Sequence, residues 1–266
     1  MSYLKFLKSK RPLVCAHRGA KAKFPENSLP SFQEAARLNV DILETDVHLT
    51  KDNELVIFHD ESLDRTTDKK GLIRDYTLEE LRQIDVGYNF LLDGQFPFRG
   101  KNLHILTLKN LFEAFPSFWI NIDIKTNEFK AAEILVRLLR EYNREKSVII
   151  GSFHPPVLEY FRKMAPNVAT AAHPGEVRRF IIHLRTHTLT LFKPRFAAFQ
   201  VPIKHGETTI ITRKFIQAAH KKGIVVMVWT INDEKTMNWL LDLEIDGIFT
   251  DDPQLMLHVL EKRQEI

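Results

Sequence analysis

Eight short apolar runs, each followed by a stretch of helical periodicity, leave this chain few architectures. The runs end near His17, Asp46, Ile124, Gly151, Ala171, Val201, Trp229 and Thr250. Strands that alternate with helices predict parallel β/α units. Eight such units in 266 residues match an α/β fold of the (β/α)8 TIM-barrel type. A doubly wound open sheet is the rival, and it would be expected to show a glycine-rich dinucleotide loop after a strand. The sequence has no such loop. The expectation is one barrel domain over residues 1–266, with an insertion at about 60–106 after the second barrel strand.

Local signals punctuate the units. Ser28 offers an N-cap to a helix up to Leu38, and Thr77 with Glu80 reads as a capping box. Thr126 or Asn127 is the expected cap of a helix over Phe129 to Tyr142. Gly223 should stop the helix that begins at Thr212, and Asp252 should cap the last one with Pro253 at its first position. Between Glu61 and Leu106 the pattern turns loop-rich, with Gly71, Gly87, Gly94, Pro97 and Gly100 and one clear helix. The apolar content there reads as too thin for a core of its own.

The run Asp41 to Asp60 reads as two strands joined by a turn. Leu43, Thr45, Val47 and Leu49 alternate with Glu44, Asp46 and His48, so Glu44 and Asp46 share a face. A two-residue turn at Asp52-Asn53 would set Lys51 opposite Glu54 and His59 opposite Asp46. His48 lies on the Glu44 face and reads as a solvated residue of the arm, with a ligand role as the alternative.

Composition narrows the class. The net charge of +4 and a sequence pI near 9.0 suit an anionic substrate or surface. No run of Lys and Arg is dense enough to point to nucleic acid. Cys15 is the single cysteine, which excludes an intrachain disulfide and makes a reducing compartment the default. No apolar run approaches the roughly 20 residues of a membrane span. Met1 to Lys10 lacks the apolar core of a signal peptide. The expected location is the cytoplasm.

A barrel builds its site at the C-terminal ends of its strands. Polar residues gather there: His17 and Arg18, Glu44 and Asp46, Asp123 and Lys125, then Ser152, Gln200 and Trp229. Three carboxylates, Glu44, Asp46 and Asp123, suit one hard divalent cation, Mg²⁺ or Ca²⁺. The absence of a Cys/His cluster at ligand spacing argues against zinc. Arg18 and Lys125 supply positive charge for a phosphate. His17 and His59 are candidates for general acid and base, and His59 could instead bind the metal. Together these parts describe metal-assisted phosphodiester cleavage. Asp123 and Lys125 could simply pair with each other, Trp229 could be barrel packing, and Arg65 reads as a tie for the insertion.

In this order along the chain the residues resemble the glycerophosphodiester phosphodiesterase family. The matches are Ala16-His17-Arg18-Gly19, Pro25-Glu26-Asn27-Ser28, Leu43-Glu44-Thr45-Asp46-Val47, Leu49-Thr50-Lys51-Asp52, Phe58-His59-Asp60 and Leu63-Asp64-Arg65-Thr66-Thr67. They continue with Asn121-Ile122-Asp123-Ile124-Lys125, Val228-Trp229-Thr230-Ile231-Asn232 and Asp246-Gly247-Ile248-Phe249-Thr250-Asp251-Asp252-Pro253. The resemblance implies a (β/α)8 barrel with an insertion after the His-Asp segment. It implies acid/base roles for His17 and His59, and metal ligation by Glu44 and Asp46. It further implies phosphate contacts by Arg18 and Lys125, and a wall for the alcohol moiety at Trp229. The family more often has Glu where this chain has Asp123, one methylene shorter.

The implied reaction is hydrolysis of a small-molecule glycerophosphodiester to glycerol 3-phosphate and an alcohol. Water and the neighbouring glycerol hydroxyl are both candidate nucleophiles. Two alternatives stand beside this reading: a lysophospholipase D, and a non-catalytic barrel that binds a phosphate ligand. A last stretch, Arg178 to Phe196, mixes basic and large apolar residues. It reads either as a barrel helix burying its apolar face or as a peripheral contact with anionic lipid through Phe180 and Phe192.

Overall fold

The computed structural model describes residues 12–264, so the reading of Met1 to Lys10 lies outside the described residues. Eight parallel strands form the barrel: β1 (Leu13–His17), β2 (Ile42–Leu49), β4 (Trp119–Ile124), β5 (Val148–Gly151), β6 (Ala169–Thr170), β7 (Ala198–Val201), β10 (Val225–Val228) and β11 (Gly247–Thr250). The short strand β3 (Leu55–Ile57) pairs antiparallel with β2, and β8 (Lys204–His205) with β9 (Thr208–Thr209) forms a small hairpin. Barrel strands neighbour one another in chain order, from β6 back through β1 to β11, β10 and β7. The last gap is bridged by a single pair, Ala171 with Ala198. The ring is therefore nearly closed, with its weakest seam between β6 and β7.

The helices are α1 (Leu29–Arg37), α2 (Leu78–Leu81), α3 (Leu108–Ala114), α4 (Phe129–Glu141), α5 (Pro155–Met164), α6 (Pro174–Arg185), α7 (Arg213–Lys221), α8 (Glu234–Asp242) and α9 (Pro253–Gln264). Ser28, Thr77, Thr212 and Asp233 cap as their chemistry dictates, each accepting from a backbone N–H of the first turn. The expected cap at Thr126 or Asn127 is not made. Glu128 occupies the N-cap of α4 with no side-chain bond. The Thr126 hydroxyl instead donates to the Glu128 carboxylate, so burial of Ile134, Leu135 and Leu138 holds this helix.

Both faces of a barrel strand are covered, the outer by helices and the inner by the other strands. Every residue of β2 is accordingly buried, polar ones included. The outward residues join one large apolar layer with the helices, and the inward ones form a second cluster with Leu13, Cys15, Ile42, Ile149, Val225, Met227 and Phe249. Period two then dictates the mouth. Along one inward face Leu13 and Cys15 lead to His17, Ile42 leads to Glu44 and Asp46, and Val225 and Met227 lead to Trp229. Each strand is apolar at the barrel floor and functional at its end.

The hairpin register departs from expectation by one residue. Val47 faces Ile57 and Leu49 faces Leu55, so Phe58, not His59, comes opposite Asp46, and its N–H donates to the Asp46 carbonyl at 3.1 Å. The loop has three residues, Lys51-Asp52-Asn53, because Asn53 takes the left-handed conformation (φ 62°). His48 is also not solvated: it is buried, and its Nε2 lies 3.0 Å from the His59 carbonyl oxygen. Residues 60–106 are loop-rich, with α2 a single turn. They are not without a core. Leu63, Ile73, Leu81, Ile84, Val86 and Ile105 cluster with Val56 and Phe58 of the β3 arm.

Candidate active site

His17, Arg18, Glu44, Asp46, His59, Asp123, Lys125 and Trp229 all line one cavity of about 610 Å³ at the C-terminal end of the barrel. The Ala16-His17-Arg18-Gly19 segment ends β1 in a sharp turn. Arg18 adopts φ 56° and Gly19 φ 85°. A Cβ on Gly19 would lie 2.7 Å from a backbone carbon of Ser31, so only glycine lets the turn pack on α1. The turn aims the Arg18 N–H at Glu44 Oε2, 2.8 Å away. The Arg18 guanidinium lies 3.2 Å from Asp46 Oδ2 and 3.0 Å from Glu26 Oε1.

Lys125 follows β4 and places its ammonium 3.0 Å from Asp46 Oδ1 and 2.7 Å from Asp123 Oδ2. It is the main cation between the two carboxylates, and despite burial they raise its pKa above the usual lysine value. The three acids respond differently. Burial, reinforced by Asp46, pushes the Glu44 carboxyl well above its ordinary range. Burial acts on Asp46 in the same sense, but Lys125 and Arg18 outweigh it and hold the group low. Asp123 is raised by burial, which Lys125 only partly opposes. Asn27, itself in the left-handed region, donates to Asp46 Oδ2 at 3.2 Å and accepts from Thr45.

His17 and His59 are each held by a carboxylate. His17 Nδ1 sits 2.6 Å from Asp251 Oδ1, and His59 Nδ1 sits 2.6 Å from Asp60 Oδ1. A carboxylate can only accept here, so Nδ1 donates in both and Nε2 is left for other chemistry. Burial lowers the His17 pKa more than Asp251 raises it, which favours the neutral ring. Asp60 and Glu26 are bridged by Arg65, which donates to Asp60 Oδ2 at 2.6 Å and to Glu26 Oε1 at 2.7 Å. Arg65 thus ties its own loop to Glu26 beside the mouth.

Asp251, Asp60, Glu26, Asn27 and Phe153 are site residues that the sequence reading did not single out. Asp251 had a signal in hindsight. It follows β11, which pairs with β1 through Ala16 and Thr250, so the inward positions beyond that pair are His17 and Asp251. Phe153 had none: it stands after β5, half exposed, with its ring 6.2 Å from that of Trp229 and 5.6 Å from the Lys125 ammonium. Away from the acids the cavity also has an apolar lining from Phe153, Val177, Ile181, Ile182 and Ile210, with Arg178 and Arg185 among them.

Only oxygen donors stand among the three mouth acids, which fits a hard divalent cation. Their oxygens do not converge tightly, because the Lys125 ammonium stands between two of them. Among the described residues, Glu159, His173 and Glu176 do bring possible ligand atoms within 4.8 Å of one another. That group lies on the flank of the barrel. Arg162 occupies both of its carboxylates, at 2.7 Å from Glu159 and 3.0 Å from Glu176, so it reads as an ion-pair hub.

Residues 17–255 match the model of the glycerophosphoryl diester phosphodiesterase family. A glycerophosphodiester phosphodiesterase of Caldanaerobacter subterraneus subsp. tengcongensis is 34% identical over 95% of this chain and 99% of that protein. Human lysophospholipase D GDPD1 is 29% identical over 90% of this chain and 82% of that one. Among solved structures, an Oleispira antarctica phosphodiesterase in complex with the product sn-glycerol-3-phosphate has a TM-score of 0.79 at 27% identity, covering 94% of this chain and 97% of that chain.

Proposed function

Since the chain belongs to the glycerophosphoryl diester phosphodiesterase family, we propose that it hydrolyses glycerophosphodiesters to glycerol 3-phosphate and an alcohol. The observation that carries the reading is the pair of carboxylate-held histidines on one cavity that also holds Arg18 and Lys125. A protein that only bound a phosphate ligand would need the cations but not two oriented imidazoles.

In this reading Arg18 and Lys125 bind the phosphodiester oxygens and orient the phosphorus. His17, whose pKa burial lowers, accepts at Nε2 the proton of the attacking water as the new P–O bond forms. His59 delivers a proton from Nε2 to the leaving alkoxide as the old P–O bond breaks. Asp251 and Asp60 fix the orientation and tautomer of the two rings. Phe153 and Trp229 wall the cavity where the alcohol lies. Glu44, Asp46 and Asp123 would hold one divalent cation, Mg²⁺ or Ca²⁺, which supplies Lewis-acid neutralisation of phosphate charge. Residues 60–106 are read as an insertion in a single barrel domain. The lone buried Cys15 supports a reducing, cytoplasmic setting; no helix among the described residues is long and apolar enough to cross a membrane.

A second reading is lysophospholipase D activity. It is favoured by the apolar outer cavity, since Ile181, Ile182 and Ile210 offer nothing to a choline or ethanolamine but would cover an acyl chain. The test is a panel of glycerophosphocholine, glycerophosphoethanolamine, glycerophosphoinositol and lysophosphatidylcholine, with and without chelator. Release of glycerol 3-phosphate from the first three supports the main reading. Cleavage of lysophosphatidylcholine alone transfers it to the second, and no turnover on any member overturns both.

A further inference from the structure

The segment read from the sequence as either core or lipid contact has a buried face and an exposed one. Phe180 and Phe192 are fully buried, with ring centroids 5.1 Å apart, and Phe180 also packs on Phe199 at 4.8 Å and Phe215 at 5.2 Å. They cannot meet a bilayer, which corrects the expectation that named them. The exposed residues are different ones. Ile182 is 54% exposed and Leu191, on the short turn Leu189–Leu191, is 71% exposed. Around them stand five exposed cations, Arg178, Arg179, Arg185, Lys193 and Arg195, none ion-paired with an acid among the described residues.

Helix α6 separates two cavities. Arg178, Ile181, Ile182 and Arg185, three or four residues apart, line the outer part of the catalytic cavity. On the adjacent face Arg179 and His183 line a second cavity of about 550 Å³, completed by Leu191, Lys193 and Arg195. Its two acids, Glu159 and Glu176, share the one charge of Arg162, and Arg179, Lys193 and Arg195 leave the lining net positive. One helix thus presents a cationic hollow with exposed Leu191 on one side, and on the other the isoleucines Ile181 and Ile182, flanked by Arg178 and Arg185, at the catalytic cavity.

We propose that the face formed by α6 and residues 189–195 docks on an anionic lipid bilayer. The second cavity receives a lipid headgroup phosphate, and Leu191 enters the headgroup–acyl boundary. Docking turns the apolar end of the catalytic cavity toward the membrane. The proposal stands whichever phosphodiester the mouth takes.

The test is co-sedimentation with vesicles of phosphatidylcholine alone and of phosphatidylcholine doped with phosphatidylglycerol. Wild type should sediment with the doped vesicles only, and added salt should release it. Each basic residue at such a surface contributes roughly fivefold to partitioning. Lys193→Gln with Arg195→Gln should therefore weaken binding about 25-fold, Lys193→Arg should not, and Leu191→Ser should weaken it at the low salt where wild type binds. Turnover of soluble glycerophosphocholine should be unchanged in all three. Absence of wild-type sedimentation, equal sedimentation with neutral vesicles, or a double variant that binds as wild type would each overturn the docking surface. Binding to heparin or nucleic acid without binding to vesicles would overturn it as well. Failure of wild type to hydrolyse glycerophosphocholine would instead count against the hydrolase reading and leave the vesicle result standing.

Discussion

Glu26 is the residue whose removal should connect stability to pH most directly. Its carboxylate takes Arg18 at 3.0 Å and Arg65 at 2.7 Å and 3.0 Å, with Lys21 at 3.9 Å. Burial alone would raise this acid, but Arg65 and Arg18 overcome it and bring the pKa from 4.5 to about 2. Each pH unit of such a depression is worth about 1.4 kcal/mol, so the charged carboxylate stabilises the fold by roughly 3 kcal/mol at face value. Arg65 is half exposed, and solvent screening there reduces the figure to about 2 kcal/mol. The sign follows from the depression. The contribution is fully present above the unfolded value of 4.5 and is lost as pH falls toward 2. Glu26→Gln should therefore unfold about 2 kcal/mol more easily than wild type at pH 7 by urea denaturation. At pH 3 that gap should shrink to less than half, because wild type has by then begun to lose the same charge. An equal gap at both pH values would refute the charge argument and assign the loss to side-chain packing.

Three further outcomes are expected. His17→Ala and His59→Ala should each lower turnover on the order of 10²-fold or more, while divalent-cation affinity by titration calorimetry stays at the wild-type level; loss of cation affinity in His59→Ala would make it a ligand. Exhaustive chelation should abolish turnover, with Mg²⁺ or Ca²⁺ restoring it. Asp123→Glu should retain appreciable activity and Asp123→Ala should not, and full activity after chelation would remove the cation from the reaction. Phe180→Ala should cost about 3–5 kcal/mol in thermal or urea unfolding, the range for a large core aromatic; a cost below about 1 kcal/mol would show that α6 is not anchored through this ring.

The barrel and its mouth were legible because both rest on local periodicity. Alternation along each strand decides which residues face inward, and the strand's end decides which of those reach the cavity. Hence His17, Glu44, Asp46, Asp123, Lys125 and Trp229 could be placed from spacing alone. What was hidden depends on contacts that spacing does not encode. The hairpin register turned on one backbone conformation, φ 62° at Asn53, which lengthened the loop by one residue. The reach of His59 into the cavity survived that slip because β3 ends at Ile57 and the chain is no longer bound to the ladder. Asp251 lies 234 residues from His17, and only closure of the ring brings them together. The apolar segment Arg178 to Phe196 stayed open between core and lipid contact for a related reason. A helix on a barrel must bury one stripe, and sequence cannot say which of Phe180, Ile181 and Ile182 belong to it until the neighbouring strands are in place. Once Phe180 is fixed against Phe199 and Phe215, Ile182 must point elsewhere, since two positions along a helix differ by about 200°. The exposed side of α6 is thus a geometric consequence of its buried side.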